Sequence, residues 1–63
     1  MREQAGIYAI HSEDAREYEA RGEWREARRS ALIAAGSAKA MGQTGRLREM
    51  LGIIERSERR ENG

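Results

Sequence analysis

Apolar residues recur along this chain at steps of three and four, the spacing that gathers them on one face of a helix. In the first third, Tyr8, His11, Ala15 and Tyr18 share such a face. In the second, Trp24, Ala27, Ala31, Ala34, Ala35 and Ala38 form a stripe opposed by Arg25, Glu26, Arg29 and Ser37. In the last, Leu47, Met50, Leu51 and Ile54 make the strongest amphipathic pattern, with Ile53 on its flank. Glycines mark the breaks. Gly22 suits the left-handed conformation in which helices commonly end. Gly42-Gln43-Thr44-Gly45 reads as a loop, with Thr44 placed to cap the helix that follows. The pattern predicts one all-α domain with helices at about residues 7–21, 23–41 and 45–60: a helical hairpin plus a third amphipathic helix.

The ends are less determined. Residues 1–6 and the charged run from Ser57 to Gly63 are polar, and both are expected to fray. The first helix starts at Ile7 or at Ser12, which with Glu13 and Asp14 has the makings of an N-cap and an acidic first turn. Ile7-Tyr8-Ala9-Ile10 also reads as a short extended segment.

Size changes the picture. A chain of 63 residues buries only about 60% of the surface it exposes when unfolded. Small scaffolds compensate with disulfides, a metal or self-association. Cysteine is absent, which removes disulfides and thiolate metal sites. Self-association is left as the favoured device. Ile33 falls among polar positions and lies beside Leu32, which suggests a second apolar surface. The expectation is a symmetric dimer in which the apolar faces of the second and third helices complete a bundle. Its partner-binding residues are Leu32, Ile33, Leu47, Met50, Leu51, Ile53 and Ile54.

Charge and candidate chemistry narrow the function classes. Charged residues make up 37% of the chain, yet the net charge is +1, so the signs are interspersed as on solvated helix faces. No apolar run approaches the roughly 20 residues needed to cross a bilayer. No long apolar signal stretch opens the sequence. A cytoplasmic location without a membrane partner is expected. His11 is the single histidine, and no set of ligands or nucleophile accompanies it. It reads as a half-buried structural residue. Glu13/Glu17 and Glu55/Glu58 lie among arginines at helical spacing and read as surface ladders. Neither an enzyme nor a cofactor is expected.

The arginines merit a separate test. Arg25, Arg28 and Arg29 cluster on the second helix, and Arg46 and Arg48 open the third. These five are the candidate nucleic-acid contacts. The pI of 8.3 falls short of the value above about 9 usual for DNA-binding domains. Forcing residues 36–51 into a helix-turn-helix puts glycines in and after the turn. Direct DNA contact therefore ranks below protein contact.

The most specific local pattern is Ala15, Tyr18, Gly22, Trp24 and Ala27, followed by Ala34. It describes a tight hairpin in which Gly22 turns the chain, Trp24 fills the space beside the turn, Ala27 lets the helices touch and Tyr18 packs across. The pattern resembles one tetratricopeptide-type helix pair, with Ala31 and Lys39 where that motif has a bulky aromatic and a proline. No second copy follows, so it reads as a hairpin of that geometry and not as an array. Over about residues 12–58, Glu19, Gly22, Trp24 and Ala27, then Arg46, Arg48 and Arg56, resemble the ANR and PerC-like families of small bacterial regulators. That resemblance implies a role in bacterial or phage gene regulation through contact with a host or bacterial regulatory protein. The alternatives are a DNA-binding regulator and a phage-encoded inhibitor of a host protein.

Overall fold

The computed structural model describes residues 2–62, the side chain of Arg2 excepted. Its elements are three helices, α1 (Arg2–Ala20), α2 (Trp24–Ala40) and α3 (Thr44–Asn62). No strand occurs among the described residues. Alanine, arginine and glutamate favour helix, and no proline interrupts it. Met1 and Gly63, at the tips of the two segments expected to fray, lie outside the described residues.

Both outer helices run further than the sequence pattern predicts. Ser12 is buried in the middle of α1, where its hydroxyl donates to the Ala9 carbonyl at 3.4 Å. It is a small packing residue and caps nothing. Ile7-Tyr8-Ala9-Ile10 is helical and not extended. Buried Tyr8 anchors the first half of α1 to the core. At the other end, Ser57 is buried, and Arg60 and Glu61 contact α2, which keeps α3 helical to Asn62.

The two connections are the same turn made twice. Gly22 (φ 75°) and Gly42 (φ 68°) adopt the left-handed conformation. Gly22 N–H donates to the Glu19 carbonyl and Glu23 N–H to that of Tyr18; Gly42 N–H donates to Lys39 and Gln43 N–H to Ala38. This double bond pattern satisfies carbonyls that a helix end leaves open. The next helix starts at once. Ala27 N–H bonds to the Glu23 carbonyl, and Leu47 N–H to that of Gln43. Gln43 thus takes the position expected of Thr44, which is already helical.

Two short turns make α2 antiparallel to both neighbours and leave α1 and α3 parallel. The backbone of α2 lies close to both, while those of α1 and α3 approach each other little. The result is a thin body of 37 × 17 × 13 Å. Ala27, Ala31, Ala34 and Ala38 are fully buried, with Ser30, Ala35 and Ser37 beside them. Ser37 was expected on the outer face; the approach of α1 and α3 on either side of α2 widens the buried stripe to include it. Bulk comes from Tyr8, Met50 and Ile53, with Tyr18, Met41, Leu47 and Ile54 packed against them.

The same substitution has opposite signs at two glycines. Gly6→Ala, inside α1 with open space around a new Cβ, should stabilise by about 0.5–1 kcal/mol. Gly22→Ala, at positive φ, should destabilise by about 1–2 kcal/mol. Urea unfolding followed by circular dichroism reads both. Ser57 carries the one buried side-chain polar atom without a partner among the described residues. An unmet buried hydroxyl costs about 1–3 kcal/mol, so Ser57→Ala should raise the urea midpoint.

Candidate functional site

The three flanks of this bundle are finished differently. Between α1 and α3 the finish is ionic. Arg16 grips Glu49 with two hydrogen bonds, Nε to Oε2 at 2.9 Å and Nη2 to Oε1 at 3.0 Å. Arg56 grips Glu19 in the same way, at 2.7 and 3.1 Å. The first arginine stands on α1 and the second on α3, so the pairs cross the seam in opposite senses. Tyr8 donates to Glu49 at 3.4 Å, and Arg46 stacks 4.9 Å from the Tyr8 ring centre. Between α2 and the end of α3, Arg28 bonds Glu61 at 2.7 and 3.4 Å, and Arg60 lies 5.6 Å from the Trp24 ring. Forked arginine–carboxylate pairs are the stronger and better oriented class of ion pair.

These contacts shift the charged groups. The hydrogen bonds from Arg16 hold the Glu49 carboxyl below its ordinary range; partial burial opposes them, and the charge of Arg16, the Tyr8 hydroxyl and Arg46 add to the lowering. Glu49, Glu61 and Glu19 raise Arg16, Arg28 and Arg56 respectively, first through their hydrogen bonds.

A second flank lies between α2 and α3. Leu51, Ile54, Glu58 and Glu61 follow one another at steps of three and four along α3, and Glu61 holds Arg28 of α2. Leu32 stands one turn beyond Arg28. Leu32 and Leu51 therefore border the same groove, 52% and 48% exposed. Half-buried Leu47 and Ile54 pack against the core on α3. The third flank, between α1 and α2, carries exposed Ile7, Ile10 and Ile33.

Of the residues expected to meet a partner, Leu32, Ile33 and Leu51 are exposed, and Leu47 and Ile54 are half-buried. Met50 and Ile53 are 0% and 2% exposed. That expectation is corrected for these two, because α3 turns them into the protomer's own core. Of the five arginines proposed to contact nucleic acid, Arg28 is paired with Glu61 and Arg46 lies over Tyr8. Arg25, Arg29 and Arg48 make no ion pair among the described residues, and Arg25 and Arg29 border a shallow depression on α2 with Leu32. The hairpin residues sit close together: Ala15 and Ala27 are buried, Tyr18 and Trp24 half-buried, with Gly22 at the turn. Glu19 and Arg56, two of the residues that carry the regulator resemblance, are partners. His11 is half-buried. No cluster of three or more metal-binding side chains occurs among the described residues, and no helix there is long and apolar enough to cross a membrane.

Arg16, Glu49 and Glu61 carry the seams without having been singled out in the sequence. The available signal was their position beside core residues, where charges bridge helices as at the margins of a coiled coil. Comparison of the chain with protein-family models, curated proteins and solved structures found no match.

The Glu49 contact should leave a pH signature. A carboxyl lowered in the folded state contributes stability above its unfolded pKa of about 4.3 and loses it as pH falls through the folded value. Glu49→Gln should therefore flatten the loss of stability below about pH 4.3. At pH 7 it should cost up to about 1 kcal/mol, since the pair is half exposed. Urea midpoints measured from neutral to acid pH check both.

Proposed function

We propose that this is a small regulatory protein, of the kind bacteria and their phages encode, that acts by contact with another protein and not by catalysis. The observation that carries the reading is the exposed pair Leu32 and Leu51 on the groove between α2 and α3. Single exposed aliphatic residues are ordinary on a protein surface. Two leucines facing one groove, with half-buried Leu47 and Ile54 on the same helix, offer the apolar strip into which an amphipathic helix lays its own. The rim is mixed in charge, with Arg48 and Glu58 on α3 and Lys39 on α2. The resemblance through Glu19, Gly22, Trp24 and Ala27, then Arg46, Arg48 and Arg56, adds transcriptional regulation as the setting. An inhibitor of a host protein would use the same groove.

The second reading is DNA contact, and the unpaired Arg25, Arg29 and Arg48 support it. The engagement of Arg28 and Arg46 within the chain weighs against it, because a basic stripe works through its free cations.

A photo-crosslinking residue in place of Leu51, compared with one in place of exposed Arg59, separates the readings in bacterial cells. The proposal expects one protein adduct from position 51, none from position 59, and loss of the adduct in Leu32→Asp. Equal labelling from both positions contradicts it. DNA retention at low salt that Arg25→Glu and Arg29→Glu abolish favours the second reading.

A further inference from the structure

The flank between α1 and α2 holds the most exposed large hydrophobic side chain among the described residues, Ile10 at 61%, with Ile33 at 43% and Ile7 at 36%. On α1, Glu3, Ile7, Ile10 and Asp14 succeed one another at steps of four, three and four and so share one stripe. The residues of α1 that meet α3 are Tyr8, Arg16 and Glu19, so this stripe lies on the side away from α3. On α2, Arg25, Arg29, Ile33 and Gly36 share a stripe opposite the buried alanines.

The ion pairs inside the protomer sort the charges that remain. Arg16 is taken by Glu49, Glu19 by Arg56 and Glu17 by Arg21, which leaves Glu3 and Asp14 on this stripe without an ion pair among the described residues, while Glu13 borders the hollow between α1 and α3 with Arg46 and Glu49. On α2, Arg28 is taken by Glu61 and Lys39 borders the groove toward α3, which leaves Arg25 and Arg29 on the stripe of Ile33, with Glu26 the one acid of the helix. One flank thus presents Glu3 and Asp14 on α1 beside Arg25 and Arg29 on α2, each helix carrying exposed isoleucine.

We propose that this flank is covered by a second copy of the same chain, in a symmetric dimer whose two-fold axis runs parallel to the helices. That axis lays α1 of one protomer antiparallel on α2 of its partner, and α2 on α1, at unchanged height. Height is read from the turn, because residues equally far from Gly22 lie level across an antiparallel hairpin. Counted so, Asp14 comes within one position of Arg29, and Ile10 within one of Ile33. Asp14 of α1 then faces Arg29 of the opposite α2, and Ile10 meets Ile33 beside them. Gly36 leaves room on α2 at the height of Ile7, where a neighbouring helix can come close. A two-fold axis across the helices instead sets α1 on α1 and opposes acid to acid. Charge therefore selects one of the two symmetric arrangements, and like-charge opposition excludes the other. The dimer seen in this way uses α1 and α2, not the α2 and α3 faces expected from the sequence. It leaves the Leu32–Leu51 groove open, so it stands whether or not that groove receives a regulatory partner.

Charge reversal tests it in the full chain by analytical ultracentrifugation, with circular dichroism confirming helicity. The parent protein should be a dimer at micromolar concentration. Asp14→Arg and Arg29→Asp should each weaken the dimer by about tenfold or more, since either change places like charges together twice per dimer. An equimolar mixture of the two variants, and the chain carrying both changes, should recover the parent affinity. A monomeric parent overturns the proposal. So does a dimer that neither single change weakens, and so does loss in both single variants without recovery in the mixture and the double variant. Leu51→Asp, at the other groove, should leave the dimer intact.

Discussion

Over most of its length α2 meets its neighbours through nothing larger than alanine and serine. Ala27, Ala31, Ala34 and Ala38 are completely buried, with Ser30 and Ser37 buried beside them. Such a seam lets two helices approach α2 closely and pack their backbones and β-carbons, where many small dispersion contacts accumulate. It contributes little hydrophobic free energy per residue, since each CH₂ or CH₃ removed from water is worth only about 0.8 kcal/mol. The rest follows from that trade. The body is thin, the bulky interior is confined to Tyr8, Met50 and Ile53, and the remaining aliphatic residues have no interior to enter. Ile7, Ile10, Leu32, Ile33 and Leu51 stay at the surface because α2 has no depth to hold them.

Where the seam does not reach, ion pairs join the helices. The outer helices α1 and α3 approach through Arg16–Glu49 and Glu19–Arg56, with Tyr8 and Arg46 adding a hydrogen bond and a cation–π contact. Half-exposed pairs of this kind contribute little each, about 0–1 kcal/mol. Their larger effect is on what is left over. By consuming Arg16 they leave Asp14 as the free charge of mid-α1 on the face away from α3, beside Arg29 of α2. The internal electrostatics thereby prepare the external ones.

The helices and the hairpin were legible because their signals are local. The alanine stripe repeats at helical spacing, and Gly22 stands where a left-handed residue is needed. The structure bears out the all-helical class with three helices. Other features were hidden for physical reasons. Ser12 and Ser37 read as polar, but a serine hydroxyl can bond within its own helix and so enter a core of small residues. Arg16 has Glu13 and Glu19 three residues away on its own helix, so the sequence offers local partners before the distant Glu49. Leu51 and Met50 are neighbours in one apolar run. Which of them turns inward depends on where α1 and α2 both lie, and a single-helix pattern does not contain that. The Tyr8, His11, Ala15 face accounts for α1 without Ile7 and Ile10, so the periodicity alone gives their exposed stripe no role.

If the seam around α2 is the constraint on which the rest depends, the order in which amides open must follow from it. Either outer helix can detach while α2 remains paired with the other, but α2 is freed only when both are lost. Native-state hydrogen exchange under mild urea measures that order directly. The account predicts the slowest exchange at Ala31, Ala34 and Ala38, at the free energy of global unfolding, with α1 and α3 opening at lower cost. Amides of α1 or α3 that outlast those of α2 would contradict it.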